Sequence, residues 1–410
     1  MKKLLFISYF APYDRVDHAG GKVHNFYVKK LQKEKEYDLT LLTMCYQREC
    51  EKLDLEEYGI KHRLVVLDKS PVQKYVRMFF SGFSYFNPFD KYGKILLNYE
   101  RYQLKKMIGR YAAQGERPDL IILQWTQIIL LMPFVKKLYP DTKIVVIEED
   151  VLFLNFYRRI GLAKSPLQRY VATYQYHNLK KRELTALHGA QQVVVNNFKD
   201  AALLVENGID GKDIFTSSVY FENYGFVKRT GACCCEEGRS YRDILFYGAM
   251  HRDENHISAM WFIEHVLPLL PERFRLVVVG ARPRKELLSL AGDRVRVMGF
   301  VEDITGYFAS CFCLAASLRL GAGIKVKVLE AMSAGVPVLT NDIGIEGIGC
   351  RNGREYWHCQ RAEEYADRIL WMEEHTCEAA KIAENGRKYI EENFDLEKKY
   401  GELVRVWDKM

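Results

Sequence analysis

Short apolar runs alternate along most of this chain with longer stretches of helical period, the pattern of a parallel sheet whose crossover connections are helices. In the first half the runs fall at residues 4–8, 39–43, 64–67, 120–123, 143–147 and 192–196. In the second half they fall at 244–247, 275–279, 295–299, 313–316 and 336–340. Helices are expected at 22–31, 170–188, 200–207 and 324–333, the last with Gly335 placed to cap its carboxyl end. Between 221 and 242 no period is sustained, which marks a linker. Near the end, Leu396, Tyr400, Leu403, Val404 and Trp407 share one face of a final helix. The division that follows is a first domain over 1–222, a linker over 223–242 and a second domain over 243–393, with a terminal helix over 394–410.

Length agrees with that division, because 410 residues exceed what one hydrophobic core usually holds. The composition is globular, 48% hydrophobic and 28% charged, so wholesale disorder is excluded. A net charge of +7 is too mild for a dedicated nucleic-acid binder, though it suits an anionic substrate or membrane surface. The ten cysteines are scattered, and the Cys233-Cys234-Cys235 cluster has neither zinc-ligand nor disulfide spacing, so reduced thiols in a cytoplasmic protein are expected. The apolar stretch at 120–135 is broken by Gln124, Thr126 and Gln127, so no membrane span is expected. Pro12-Tyr13-Asp14-Arg15 likewise interrupts the apolar opening before it can read as a signal peptide.

Candidate chemistry concentrates at 317–347. Gly321-Ala322-Gly323 lets the backbone approach a ligand closely, the helix after it presents its positive end, and Arg319 and Lys325 flank the corner, which together suit a phosphate. Glu330 stands seven residues beyond Gly323, a rise of about 10 Å along a helix, comparable to the reach from a diphosphate to the ribose hydroxyls of the same nucleotide. On these residues alone, Lys327 and Glu330 read equally as a solvated pair on an ordinary helix. A second glycine pair, Gly20-Gly21, is placed in a loop after the first strand. Glu148-Glu149-Asp150 ends the fifth strand, where a carboxylate points into a cleft or merely closes a solvated loop. No Asp-x-Asp or His-rich ligand cluster stands out, and no metal or other cofactor is expected.

The run Arg319-x-Gly-x-Gly-x-Lys-x-Lys-x-Leu-Glu-Ala-Met-x-x-Gly-x-Pro-Val resembles the donor-site signature of retaining glycosyltransferases of family 4. The resemblance implies the α/β GT-B fold: two Rossmann-like domains facing across a cleft, with the C-terminal helix crossing back to the N-terminal domain. It implies that Glu330 holds the ribose of a nucleotide-diphosphate sugar, that the Gly321-Ala322-Gly323 loop, Gly20 and Gly21 face the donor, and that Glu149 and Asp150 lie near the reacting sugar. Four positions depart from the family. Ala322 stands where a sugar-contacting glutamate is usual, Glu149 where a histidine is, and Ala249 and Glu254 where an arginine and a lysine hold the diphosphate. Arg319, Lys325 and Arg252 are the cations left to replace that pair. These departures keep a non-catalytic sugar-nucleotide-binding scaffold open, and a nucleotide-sugar epimerase of the same fold remains a third reading.

For the acceptor, a glycan or lipid-linked glycan, two stretches matter. Residues 71–111 are rich in bases and aromatics, among them Lys74, Arg77, Phe79, Phe83 and Phe86; Phe153, Phe156, Tyr157, Arg158, Arg159, Lys164, Arg169 and Tyr170 form a second such stretch. Both read either as packing or as a peripheral contact with the anionic inner face of a membrane.

Overall fold

The computed structural model describes the whole chain apart from residues 15, 17, 18, 91, 93, 94, 162, 231–240 and 322. The three-cysteine cluster and Ala322 therefore lie outside the described residues. Two compact units are present, Met1–Tyr220 with Leu396–Met410, and Phe221–Asp395.

The first unit is built on seven parallel strands: β1 (Lys2–Ser8), β2 (Tyr37–Tyr46), β3 (Lys61–Leu67), β4 (Leu120–Gln124), β5 (Lys143–Glu148), β6 (Gln192–Val195) and β7 (Ile214–Thr216). Their order is β3-β2-β1-β4-β5-β6-β7. Successive residues of β1 serve opposite cores, Leu4 and Phe6 on one side of the sheet and Leu5 and Ile7 on the other. That is why the strand reads as one continuous apolar run. Helices α1 (Ala19–Glu34), α2 (Pro71–Phe86), α3 (Leu152–Gly161) and α4 (Pro166–Leu187) belong to this unit.

The glycine pair expected in a loop lies inside the first turn of α1. A helix's first turn has no intrahelical bond to lose at its amides, so glycine costs little there. At Gly20 the space is tight, since a Cβ would stand 3.3 Å from Trp125 Nε1 and 3.4 Å from Glu149 Oε2.

The second unit carries β8 (Arg242–Tyr247), β9 (Phe274–Val279), β10 (Val295–Gly299), β11 (Cys313–Ala316), β12 (Val338–Thr340) and β13 (Trp357–His358), with α5 (Asp253–Trp261) after β8 and α6 (Val326–Ser333) after β11. The sheet order is β10-β9-β8-β11-β12-β13, all parallel. Helix α6 starts two residues later than its periodicity suggests, with Lys325 extended at its N-cap, and Gly335 turns left-handed (φ +68°) just past its end.

The last helix, α7 (Leu396–Asp408), returns to the first unit, where its apolar stripe joins the core formed by Leu4, Phe6, Val23 and Tyr27. Its polar atoms fix the register: Trp407 Nε1 donates to Gln192 Oε1 at 2.9 Å and the Tyr400 hydroxyl donates to Glu34 at 2.9 Å.

Candidate functional site

In each sheet the strand order reverses once, between β1 and β4 in the first unit and between β8 and β11 in the second. Loops leaving adjacent strands on either side of such a point diverge, so a crevice opens at their carboxyl ends.

In the second unit the crevice floor is backbone. Gly248 (φ +145°) and Gly280 (φ +154°) approach so closely that a Cβ on Gly280 would sit 1.8 Å from the Gly248 carbonyl oxygen. Across from them, Gly321 (φ +136°) and Gly323 (φ +69°) shape the loop after β11. The Lys325 side chain folds onto that loop, its Nζ donating to the Gly323 carbonyl at 2.5 Å. One turn into α6, Glu330 Oε2 accepts from the Tyr247 hydroxyl at 2.7 Å, with the Lys327 carbonyl oxygen 3.0 Å away. Burial, reinforced by the Glu330 charge, pushes the Tyr247 phenol well above its ordinary value. The phenol therefore stays protonated and fixes one carboxylate oxygen of Glu330.

Lys327 is the residue whose surroundings differ most from the sequence reading. It does not pair with Glu330; its Nζ donates to Asn255 Oδ1 at 2.5 Å and lies 5.1 Å from the Phe246 ring. The side chain is only partly exposed and its amine is withdrawn from water, which pulls the amine down to about 7 against the opposing pull of Glu254. Arg252 stands at the N-cap of α5 and pairs with Glu254 at 2.6 Å. Arg319 lies over the Trp261 indole, 4.9 Å from its centroid, while its backbone N–H donates to Ser258 Oγ at 3.0 Å. Thus Arg252, Lys325, Lys327, Glu254 and Glu330 form one electrostatic group, and Arg319 is engaged with α5.

In the first unit the reversal point gathers polar side chains that the periodicity did not single out. Gln124 ends β4, and Trp125, held left-handed (φ +71°), turns the chain there. Glu149 accepts from the Gln124 amide through one oxygen and from Asn196 Nδ2 through the other, the latter at 2.8 Å. His24 Nδ1 lies 2.6 Å from Gln124 Oε1, so a chain of contacts runs from α1 to β6. Burial pushes Glu149 up to about 7, with the exposed Asp150 adding to the rise. Behind it, Glu183 accepts from the Leu152 and Phe153 amides at 2.8 and 3.0 Å, capping α3, and burial raises it to about 8. Glu148 accepts from the Thr126 hydroxyl, and burial beside Glu183 holds it well above the usual carboxylate range.

Glu149 therefore meets Gly20, Gln124 and Asn196; Gly21 is buried in the same turn of α1. Gln124 and Thr126 were visible in the sequence only as breaks in an apolar run. Their position at the end of a buried strand was the signal that could have found them.

Both units thus carry a polar site at the carboxyl edge of a parallel sheet, which places the molecule among the GT-B glycosyltransferase folds. Solved structures agree. Anabaena HepE in complex with UDP matches with a TM-score of 0.68 at 14% identity over the whole of both chains. Sucrose-phosphate synthase from Thermosynechococcus elongatus matches with a TM-score of 0.68 at 12% identity, covering all of this chain and 99% of that one. The lipopolysaccharide outer core galactosyltransferase WaaB, in apo form, matches with a TM-score of 0.61 at 11% identity over both whole chains.

Residues 241–375, which hold the second unit's site, match the model of the family described as Glycosyl transferases group 1. An uncharacterised 44.6 kDa protein in the cps region of Klebsiella pneumoniae is 23% identical over 176 residues, 40% of this chain. That match spans 45% of the relative's length. The family match covers the second unit's site, and the solved structures show the fold of the whole chain.

Proposed function

We propose that the protein is a retaining glycosyltransferase that moves a sugar from a nucleotide-diphosphate donor to a glycan or lipid-linked glycan, in the assembly of a surface polysaccharide at the cytoplasmic face of the membrane. The observation that carries the donor half is Glu330 on α6, oriented by Tyr247 and preceded by the Gly321–Gly323 loop. A carboxylate so placed accepts from ribose hydroxyls while the loop's backbone and the nearby cations meet the diphosphate. HepE was solved with UDP and with UDP-glucose, which supports a uridine donor as the first one to try. Sugar transfer is limited by charge developing on the departing diphosphate, so cations and helix-end amides fixed in advance are the main catalytic need. Arg319 and Lys325 are assigned that role, and Glu149 and Asp150 the environment of the reacting sugar. No metal is needed for this scheme.

The acceptor half rests on the outside of the first unit. Helix α2 is inverted for a soluble protein: Ser81 and Ser84 are buried, while Tyr75, Phe79, Phe83 and Phe86 are exposed, Phe86 to 83%. Phe89, Leu167 and Tyr170 extend the exposed apolar surface, and Lys74, Arg158 and Lys164 are exposed near them in sequence. Aromatics flanked by bases favour the interface of an anionic bilayer, and WaaB's lipopolysaccharide activity fits a membrane-bound acceptor. Arg77, expected to meet lipid, is instead held by Asp68 through contacts of 2.8 and 2.9 Å. Among the described residues no helix is long and apolar enough to cross a membrane.

The direct test of the donor half is Glu330→Ala. Losing a charge-assisted contact to the ribose weakens donor binding by about 2 to 3 kcal/mol, measured by calorimetry on a variant with native circular dichroism. A change in affinity below twofold would remove Glu330 from the site.

A further inference from the structure

We infer that Lys327 meets the donor diphosphate alongside Arg319 and Lys325, an assignment that rests on the second unit being the donor site. Arg252 pairs with Glu254, Arg319 lies over the Trp261 ring and Lys325 folds onto the Gly323 carbonyl. Lys327 is placed differently. Its amine lies over the Phe246 ring and is aimed back from α6 at Asn255 on α5, whose own amide reaches the loop that follows β8.

That aim is enforced. Asn255 Oδ1 takes the amine at 2.5 Å while Asn255 Nδ2 donates to the Ala249 carbonyl at 3.0 Å. A Cβ on Gly248 would stand 2.8 Å from that same Nδ2, so Asn255 lies close against the glycine loop. The amine is thus pinned beside the backbone of Gly248 and Ala249, at the carboxyl end of the strand next to the reversal point.

The charged groups around the amine are Arg252 and Glu254 from the start of α5, and Lys325 and Glu330 from its own loop and helix; the Tyr247 hydroxyl at the end of β8 bonds to Glu330. No carboxylate forms an ion pair with Lys327 among the described residues, its hydrogen-bond partner being a neutral amide oxygen. A sheltered amine with a neutral partner gains little from being charged until an anion arrives. A diphosphate diester supplies two negative charges at that point, so donor binding draws a proton onto Lys327 and the ammonium is in place when charge builds on the leaving group. Water supplies the proton, and no bond of the donor breaks in the process.

The test is calorimetry of the whole chain with UDP-glucose, GDP-mannose and ADP-glucose, in two buffers of different ionisation enthalpy, at pH 7.5. The diphosphate of these donors does not titrate near neutrality, so a net proton uptake comes from the protein. The expected result is that the wild type binds one donor with uptake of a large fraction of a proton. Lys327→Met and Lys327→Gln still unfold in one cooperative thermal transition, lose about ten- to hundredfold in affinity and take up none, while Glu330→Ala loses affinity and still takes up a proton. Wild-type affinity and uptake in the Lys327 variants would overturn the assignment and leave the donor site standing. Binding without proton uptake in the wild type would overturn it even where neither variant folds. Binding of no donor by the wild type would overturn the reading on which it rests.

Discussion

Glu149 and Lys327 are displaced in opposite directions by the same cause, withdrawal of a charge from water, and each ends near neutrality. For Lys327 the consequence for stability has a definite sign. Its folded value, about 7, lies below that of an unfolded lysine. The native state therefore binds fewer protons than the unfolded chain between about pH 7 and the ordinary lysine range near 10.4. The penalty for burying the charged amine is complete below pH 7 and vanishes as pH rises toward 10. Lys327→Met is accordingly expected to unfold at a higher temperature than the wild type at pH 6, with the gain shrinking steadily toward pH 10. A gain that is absent at pH 6, or that grows with pH, contradicts the sheltered amine. At this scale the place of Glu330 on the helix after the glycine loop was legible from periodicity. Lys327 was not: its spacing from Glu330 matches a solvated pair, and only Asn255, 72 positions earlier, shows where it points. Gln124 and Asn196 were hidden for the same reason, since their common partner Glu149 is remote from both in sequence.

Among the elements, the central strands were the easiest to read because they are buried on both faces and their apolar runs are unbroken. The stripe on α7 marked which of its faces is buried, and the structure shows that it packs on the core of the first unit. Trp407 fills the core of the first unit at 1% exposure and donates to the buried Gln192. Trp407→Ala should cost about 3 to 5 kcal/mol in urea unfolding, with loss of the indole's fluorescence change; a cost below 1 kcal/mol would mean the helix is not docked as described. Helix α2 was ambiguous, because its aromatics fit a buried helix as well as an exposed one. Its small buried residues settle the direction of its faces. Replacing Phe79, Phe83 and Phe86 together with serine is expected to abolish co-sedimentation with vesicles of 40% phosphatidylglycerol, and Lys74→Ala to weaken it at low salt only. Unchanged sedimentation of the triple variant, or equal binding to uncharged vesicles, would favour a soluble acceptor.

For the whole molecule, length and the repeated strand-helix pattern were enough to give two parallel α/β units, while the return of the last helix was expected from the family resemblance. What periodicity does not carry is strand order, and with it the two reversal points at which the polar residues of each unit collect. Those points explain why residues scattered over the chain become two sites. They also explain why the departures at Ala249 and Glu254 need not silence the protein, since Lys327 reaches the same loop from α6. The central claim is retaining transfer from a nucleotide-diphosphate sugar, and proton NMR of the chain with a panel of such donors tests it most directly. Slow release of the nucleoside diphosphate from one donor is predicted, the first free sugar to appear having the donor's own anomeric configuration. The opposite anomer, an epimerised product, or no turnover of any donor would contradict it, the last pointing to a binding scaffold.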